Sequence, residues 1–187
     1  MGASFLAYKG APAGPLVFQD NFNHGAGVND ALGANWDSNG LFVYNNVAHG
    51  VTGALNYAYV SSSVGTFGAN QYVQFQPNNY LQSGSTSGNF AVFLRGGLCH
   101  MVWPVLASSY LSMRVYNANV FDTTIVPSIF DVVRFEAFGT ALRIKLNGSL
   151  VWSGTSTNTD GTTVGQPGFG MTINLDGDNF ECGELLA

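Results

Sequence analysis

At 187 residues, with a net charge of −5 and a pI near 4.8, the chain is long enough for one domain with a sizeable core and too acidic to coat nucleic acid. Its four arginines and two lysines are scattered, so no basic cluster displaces counterions from phosphates, and no apolar run reaches the roughly 20 residues that span a bilayer. Only 9% of residues are charged, against about 25% in ordinary soluble domains, so either Asn, Ser, Thr, Gln and Gly solvate the surface or neighbouring subunits cover it.

Residues 1–16 read as an extended N-terminal arm, small and apolar, with Gly10, Pro12, Gly14 and Pro15 breaking any regular element. The expected use of such an arm is docking on another subunit of the same assembly. No basic segment followed by a long apolar stretch marks a signal peptide. Residues 17–187 read as a single domain, opening with a short strand at Val17–Phe22 and a glycine-rich turn segment that ends at Trp36-Asp37. Strands are expected over 41–47 and 55–60, the second alternating Leu55, Tyr57 and Tyr59 with Asn56, Ala58 and Val60. In 70–76 the period of two sets Tyr72 against Val73 and Phe75. A flexible connector follows at 83–89, a buried strand at 90–95 ending in Arg95, and an irregular stretch at 96–104 holding Cys99, His100 and Trp103. Strands at 110–116 and 121–129 lead into the most regular part of the chain.

That part is an antiparallel meander over 131–152. Leu142, Ile144 and Leu146 alternate with Arg143, Lys145 and Asn147, and Val133, Phe135 and Ala137 alternate with Arg134 and Glu136. Asn147-Gly148 supplies the two positive-φ residues of a type I′ turn, and Gly139-Thr140 makes the other connection. A polar loop is expected at 153–164, then strands near 166–173 and 178–184. About a dozen short strands with no helical periodicity define an all-β chain. Cys99 and Cys182 fit one disulfide or two buried thiols equally well.

The order of short motifs adds to this. Asp20-Asn21-Phe22, Trp36, Asn70-Gln71-Tyr72-Val73, Phe93-Leu94-Arg95 and Tyr110 are followed by Val133-Arg134-Phe135-Glu136, Leu146-Asn147-Gly148, Gly165 to Gly170 and Asp178-Asn179-Phe180. Together they resemble the concanavalin A-like lectin/glucanase superfamily, in particular laminin-G-like jelly-roll modules of bacterial and phage proteins. The resemblance covers residues 17–187. It implies a two-sheet antiparallel β-sandwich, a jelly roll with one convex and one concave sheet. The near-duplicate Asp20-Asn-Phe and Asp178-Asn-Phe segments suit first and last strands lying side by side.

Glucanases of that superfamily place two carboxylates on alternate residues of one strand, about 5 Å apart for a retaining mechanism. Glu136 has no acidic residue two or four positions away, and an ion pair with Arg143 or Lys145 explains it. Glu181 and Glu184, three apart, face opposite sides of a strand. His24, His49 and His100 lack a nucleophile elbow or metal-ligand spacing. The reading is therefore non-enzymatic. Calcium is a cofactor to consider, with Asp20 and Asp178 as ligands if the terminal strands pair. For glycans, Trp103, Tyr110, Arg114 and Tyr116 offer stacking rings and a guanidinium, and Trp36 with Asp37 is a second candidate. The expected function is a structural or adhesion module of a virion or extracellular assembly, such as a phage decoration, capsid or tail protein, that binds cell-surface glycans. The alternative is a free carbohydrate-binding module of a secreted protein.

Overall fold

A computed structural model describes residues 15–23, 30–51, 55–79, 87–106, 109–110, 112–117, 119–156, 164–172 and 174–186. Residues 1–14 of the arm lie outside this set, as do 80–86 and 157–163. The described elements are strands, apart from one 3₁₀ turn at Arg95–Gly97. In order they are β1 Val17–Asp20, β2 Asp30–Ala31, β3 Trp36–Asn39, β4 Leu41–Tyr44, β5 Val47–Gly50, β6 Asn56–Val60, β7 Gln71–Pro77, β8 Ser87–Leu94 and β9 Cys99–Leu106. After these come β10 Ser109–Tyr110, β11 Arg114–Asn117, β12 Asn119–Asp122, β13 Val133–Phe138, β14 Ala141–Leu146, β15 Ser149–Thr155, β16 Gly168–Met171 and β17 Asp176–Glu184.

They form two antiparallel sheets. One has nine strands in the order β15-β14-β13-β7-β17-β5-β4-β2, with β1 also on β17; the other has eight, β12-β11-β9-β8-β16-β6-β3, with β10 on β9. The chain crosses repeatedly between them, which makes a jelly-roll sandwich. The two ends of the fold pair as the duplicated motifs imply, with Val17 opposite Gly183 and Asp20 opposite Phe180. The meander runs in the register its alternation dictates: Val133 faces Leu146, Phe135 faces Ile144, and Asn147 and Gly148 take φ of 49° and 82°.

Inward residues of both sheets meet in an aromatic core. Phe18, Phe75 and Phe180 come from the nine-stranded sheet, and Trp36, Phe90, Trp103 and Phe169 from the other. Phe75 stacks on Phe169 at 4.9 Å, and Trp36 meets Phe180 edge-on at 4.8 Å. Such pairs add about 0.5–1.5 kcal/mol each to the area they bury. Cys99 and Cys182 are buried and remain thiols, and burial pushes the Cys182 thiol well up.

Six expectations change. The stretch 41–47 is two strands, because Asn45 and Asn46 adopt φ of 48° and 63° and turn the chain in a hairpin. The supposedly irregular stretch 96–104 is mostly β9, whose Met101, Trp103 and Val105 point into the core between outward His100, Val102 and Pro104. The connector at 83–89 gives way to strand at Ser87, and the expected strand at 110–116 breaks into β10 and β11. The expected strand at 121–129 stops at Asp122, while β15 extends to Thr155 into the expected loop.

Candidate functional site

The outer face of the eight-stranded sheet follows from register. Asp37 lies opposite Tyr59, Tyr59 opposite Gly168, Gly168 opposite Phe93, Phe93 opposite His100, and His100 opposite Tyr116. One transverse row therefore crosses the sheet from β3 to β11, on the side away from the core. The neighbouring row carries Asn39, Tyr57, Gly170, Ala91, Val102, Arg114 and Asp122.

The rings of these rows touch in series. Tyr57 meets Tyr59 at 5.7 Å, Tyr59 meets Phe93 at 5.4 Å, Phe93 meets His100 at 5.8 Å, and His100 stacks on Tyr116 at 4.8 Å and 9°. The step from β6 to β8 passes over β16, where only glycine fits. A Cβ on Gly168 would lie 2.3 Å from the Ala58 carbonyl and 2.9 Å from the Tyr59 ring, and one on Gly170 would lie 2.7 Å from the Asn56 carbonyl. Tyr57 is 39% exposed, so the band ends in an accessible ring.

Burial lowers the pKa of His100, only partly offset by the Gly97 carbonyl, so the imidazole is neutral near pH 7. A carbonyl can only accept, so Nδ1 donates to Gly97 at 3.1 Å and Nε2 is the bare nitrogen of the neutral ring. At the far edge Arg114 pairs with Asp122 at 2.8 Å, both well exposed.

The glycan candidates divide by facing. Arg114, Tyr116 and Asp37 sit on this outer face. The side chain of Tyr110 lies outside the described residues. Trp103 and Trp36 are corrections: strand alternation sends both into the core. Trp103 is fully buried and stacks on Phe90 at 5.6 Å. Trp36 is buried and donates from Nε1 to Asp20 Oδ2 at 2.8 Å. Tyr57, Tyr59, Phe93 and His100 complete the band and were missed. The only sequence signal was Tyr57-Ala58-Tyr59, a tyrosine pair alternating with small residues, in which the tyrosines rather than Ala58 face water.

The expected calcium pair, Asp20 and Asp178, lies on the paired terminal strands β1 and β17. Asp20 is opposite Phe180, not Asp178, and its carboxylate accepts from Phe22 N at 2.8 Å as well as from Trp36. Asp178 accepts from Asn179 N at 2.7 Å; its carboxyl is raised by burial and further by the charge of Asp20. Each of these carboxylates thus accepts at least one hydrogen bond from the protein. Among the described residues no group of three or more His, Cys, Asp or Glu is arranged to hold a metal ion.

The nine-stranded sheet has its own charged network. Glu136 accepts from Arg134 and Lys145, each at 2.8 Å, rather than from Arg143 opposite it. Arg134 lies 3.5 Å over the Tyr72 ring, and Tyr72 donates to Glu181 at 2.7 Å. No described helix is long and apolar enough to cross a membrane.

Sheet order and the pairing of chain ends define a concanavalin A-like jelly roll, and solved structures share it. The Crh5 transglycosylase in complex with NAG matches with TM-score 0.62 and 11% identity, over 97% of this chain and 90% of that one. The CBM2 module of Lactobacillus casei BL23 phage J-1 evolved Dit matches with TM-score 0.58 and 10% identity, over 92% and 97%. The carbohydrate-binding module CBM66 from Bacillus subtilis matches with TM-score 0.54 and 15% identity, over 78% and 91%. No family model matches the chain, and no curated protein matches its sequence. Identities this low establish the fold. Enzymes and binding modules both share it, so the choice between them falls to the site.

Proposed function

We propose that the protein is a non-catalytic carbohydrate-binding attachment module, with the outer face of the eight-stranded sheet as its platform. The observation that carries this is the unbroken ring series Tyr57, Tyr59, Phe93, His100 and Tyr116, bordered by Asp37 and Arg114. Sugar rings present apolar C–H faces that stack on such a band, while the flanking carboxylate, guanidinium and tyrosine hydroxyls bond their hydroxyl groups.

The same face argues against hydrolysis. Strand β8, across its centre, presents Asn89, Ala91 and Phe93 outward. The face's described carboxylates, Asp37 and Asp122, sit on opposite edge strands six strand intervals apart, ~29 Å at 4.8 Å per strand. Retaining chemistry needs about 5 Å, and inverting chemistry at most about 9.5 Å.

The setting we favour is a virion surface, tail or decoration protein, with residues 1–16 reaching another subunit. The low charged fraction of 9% and the phage-derived module of the same fold support it. A free module of a secreted protein is the second reading, which the carbohydrate-binding module from Bacillus subtilis supports equally well. The test is a glycan array with wild type, Tyr57→Ala and Tyr116→Ala. Losing one stacked ring is expected to weaken binding by about 1–3 kcal/mol, with the fold intact by circular dichroism. Glycan binding unchanged in both variants, or release of reducing ends by the wild type, would defeat the proposal.

A further inference from the structure

We propose that a groove between β14 and β15, on the outer face of the nine-stranded sheet, is a second ligand site that takes the anionic group of an acidic saccharide. It lies on the opposite sheet from the aromatic band, and it extends the carbohydrate reading on which it rests. The groove has a volume of about 540 Å³ and is lined by Ala141, Leu142, Arg143, Lys145, Leu150, Ser153, Gly154 and Thr155. That volume falls within the roughly 300–1,000 Å³ of small-molecule sites.

Its chemistry follows from the register. Arg143 is opposite Ser153 and Ala141 opposite Thr155, so an exposed guanidinium shares one face with two exposed hydroxyls of the next strand, about 4.8 Å away, Ser153 directly across and Thr155 diagonal. Between the hydroxyls, Gly154 packs on the Trp152 ring, where a Cβ would come within 2.5 Å of the indole.

The charge placement gives the sign of the ligand. Three of the chain's six basic residues, Arg134, Arg143 and Lys145, sit on this face of a molecule whose net charge is −5. Glu136 is the carboxylate directly opposite Arg143, but both of its hydrogen bonds go to Arg134 and Lys145. Glu181, the next acid, is held by Tyr72 and Gln19. Arg143 therefore has no carboxylate or hydrogen-bond partner among the described residues. An arginine fork beside two hydroxyls fits a carboxylate or a sulfate. Leu150, 57% exposed on the wall of the groove, offers the apolar contact that a sugar ring takes and a bare inorganic anion does not.

The experiment uses the full chain, titrated with oligogalacturonate (carboxylate), a sulfated galactan oligomer (sulfate) and a neutral galactan oligomer of equal length. Binding is read by calorimetry and by amide shifts of Arg143, Ser153 and Thr155. At least one acidic oligomer is expected to shift these amides, with the affinity read from those shifts weakened tenfold or more in Arg143→Gln and less in Arg143→Lys. Which acidic oligomer binds identifies the anionic group. Acidic binding that survives Arg143→Gln, or shifts confined to the Tyr116 face, would overturn the second site and leave the aromatic platform standing. A neutral oligomer bound on the Tyr116 face, with neither acidic oligomer in the groove, would likewise remove the second site alone. Absence of binding on both faces would overturn both proposals.

Discussion

Arg95 has an ordinary composition and an unusual position. It is buried at the end of β8 with φ of 55°, and no carboxylate faces it among the described residues. Its Nε donates to the Ala69 carbonyl at 2.8 Å and an Nη to the Gly139 carbonyl at 2.7 Å. Its own N–H goes to Gln71 Oε1, whose amide nitrogen bonds the carbonyls of Gly68 and Gly165. One residue thus fastens the end of a strand in the eight-stranded sheet to the β13–β14 turn and the approach to β7 in the other. A guanidinium without a counter-ion persists in such a place because backbone carbonyls replace its hydration. Arg95→Met fills similar volume but leaves two partly buried carbonyls without their donor. We expect it to cost about 2–5 kcal/mol in urea denaturation; a loss below about 1 kcal/mol would mean the carbonyls find water instead.

At the scale of strands, the sequence was most readable where alternation and turn chemistry agree. The 131–152 meander satisfies both and appears in the expected register. Strand β9 satisfies the first, since Cys99, Met101, Trp103 and Val105 alternate with His100, Val102 and Pro104. The preceding Gly-Gly and the internal proline nevertheless read as a loop. That error hid His100 and left Trp103 looking like a loop residue able to meet a ligand. The Asn45-Asn46 turn was missed because it lacks glycine, although asparagine tolerates a left-handed backbone. Strand pairing also sets the charge on Glu136. Burial pushes its carboxyl up, but the bonds from Lys145 and Arg134 outweigh this and hold it below the ordinary 4.5. A depressed carboxyl contributes stability that is complete above its unfolded pKa and lost as pH falls through the folded value. Glu136→Gln is therefore expected to cost most at pH 7. In denaturation series the gap from wild type should close as the pH drops below about 4; a gap constant from pH 7 to 3 would show that packing, not charge, sets its value.

For the whole molecule, pairing of the chain's two ends was legible because Asp20-Asn-Phe and Asp178-Asn-Phe repeat, and β1 does lie on β17. What the repeat did not reveal is the offset. Asp20 faces Phe180 and β17 is irregular between Asp178 and Glu181, so the two carboxylates are offset along the seam, yet near enough for the charge of Asp20 to raise the Asp178 carboxyl. Asp20 turns inward to cap Phe22 and bond Trp36, and so helps close the sandwich over its aromatic core. This separates a metal-dependent sandwich from a self-sufficient one by linkage. An ion bound at one hundred times its dissociation constant would add about 2.7 kcal/mol. In a domain of this size that raises Tm by roughly 2–4 °C for each kcal/mol. With each oxygen of Asp20 accepting a hydrogen bond inside the protein, millimolar calcium and excess chelator are expected to give melts within about 1 °C of each other, well inside that shift. Asp20→Ala, by contrast, leaves the buried Trp36 N–H without its acceptor and should lower stability by about 1–3 kcal/mol with or without calcium. A melt that rises several degrees with calcium, and loses that rise in Asp20→Ala, would restore the ion to the seam between β1 and β17.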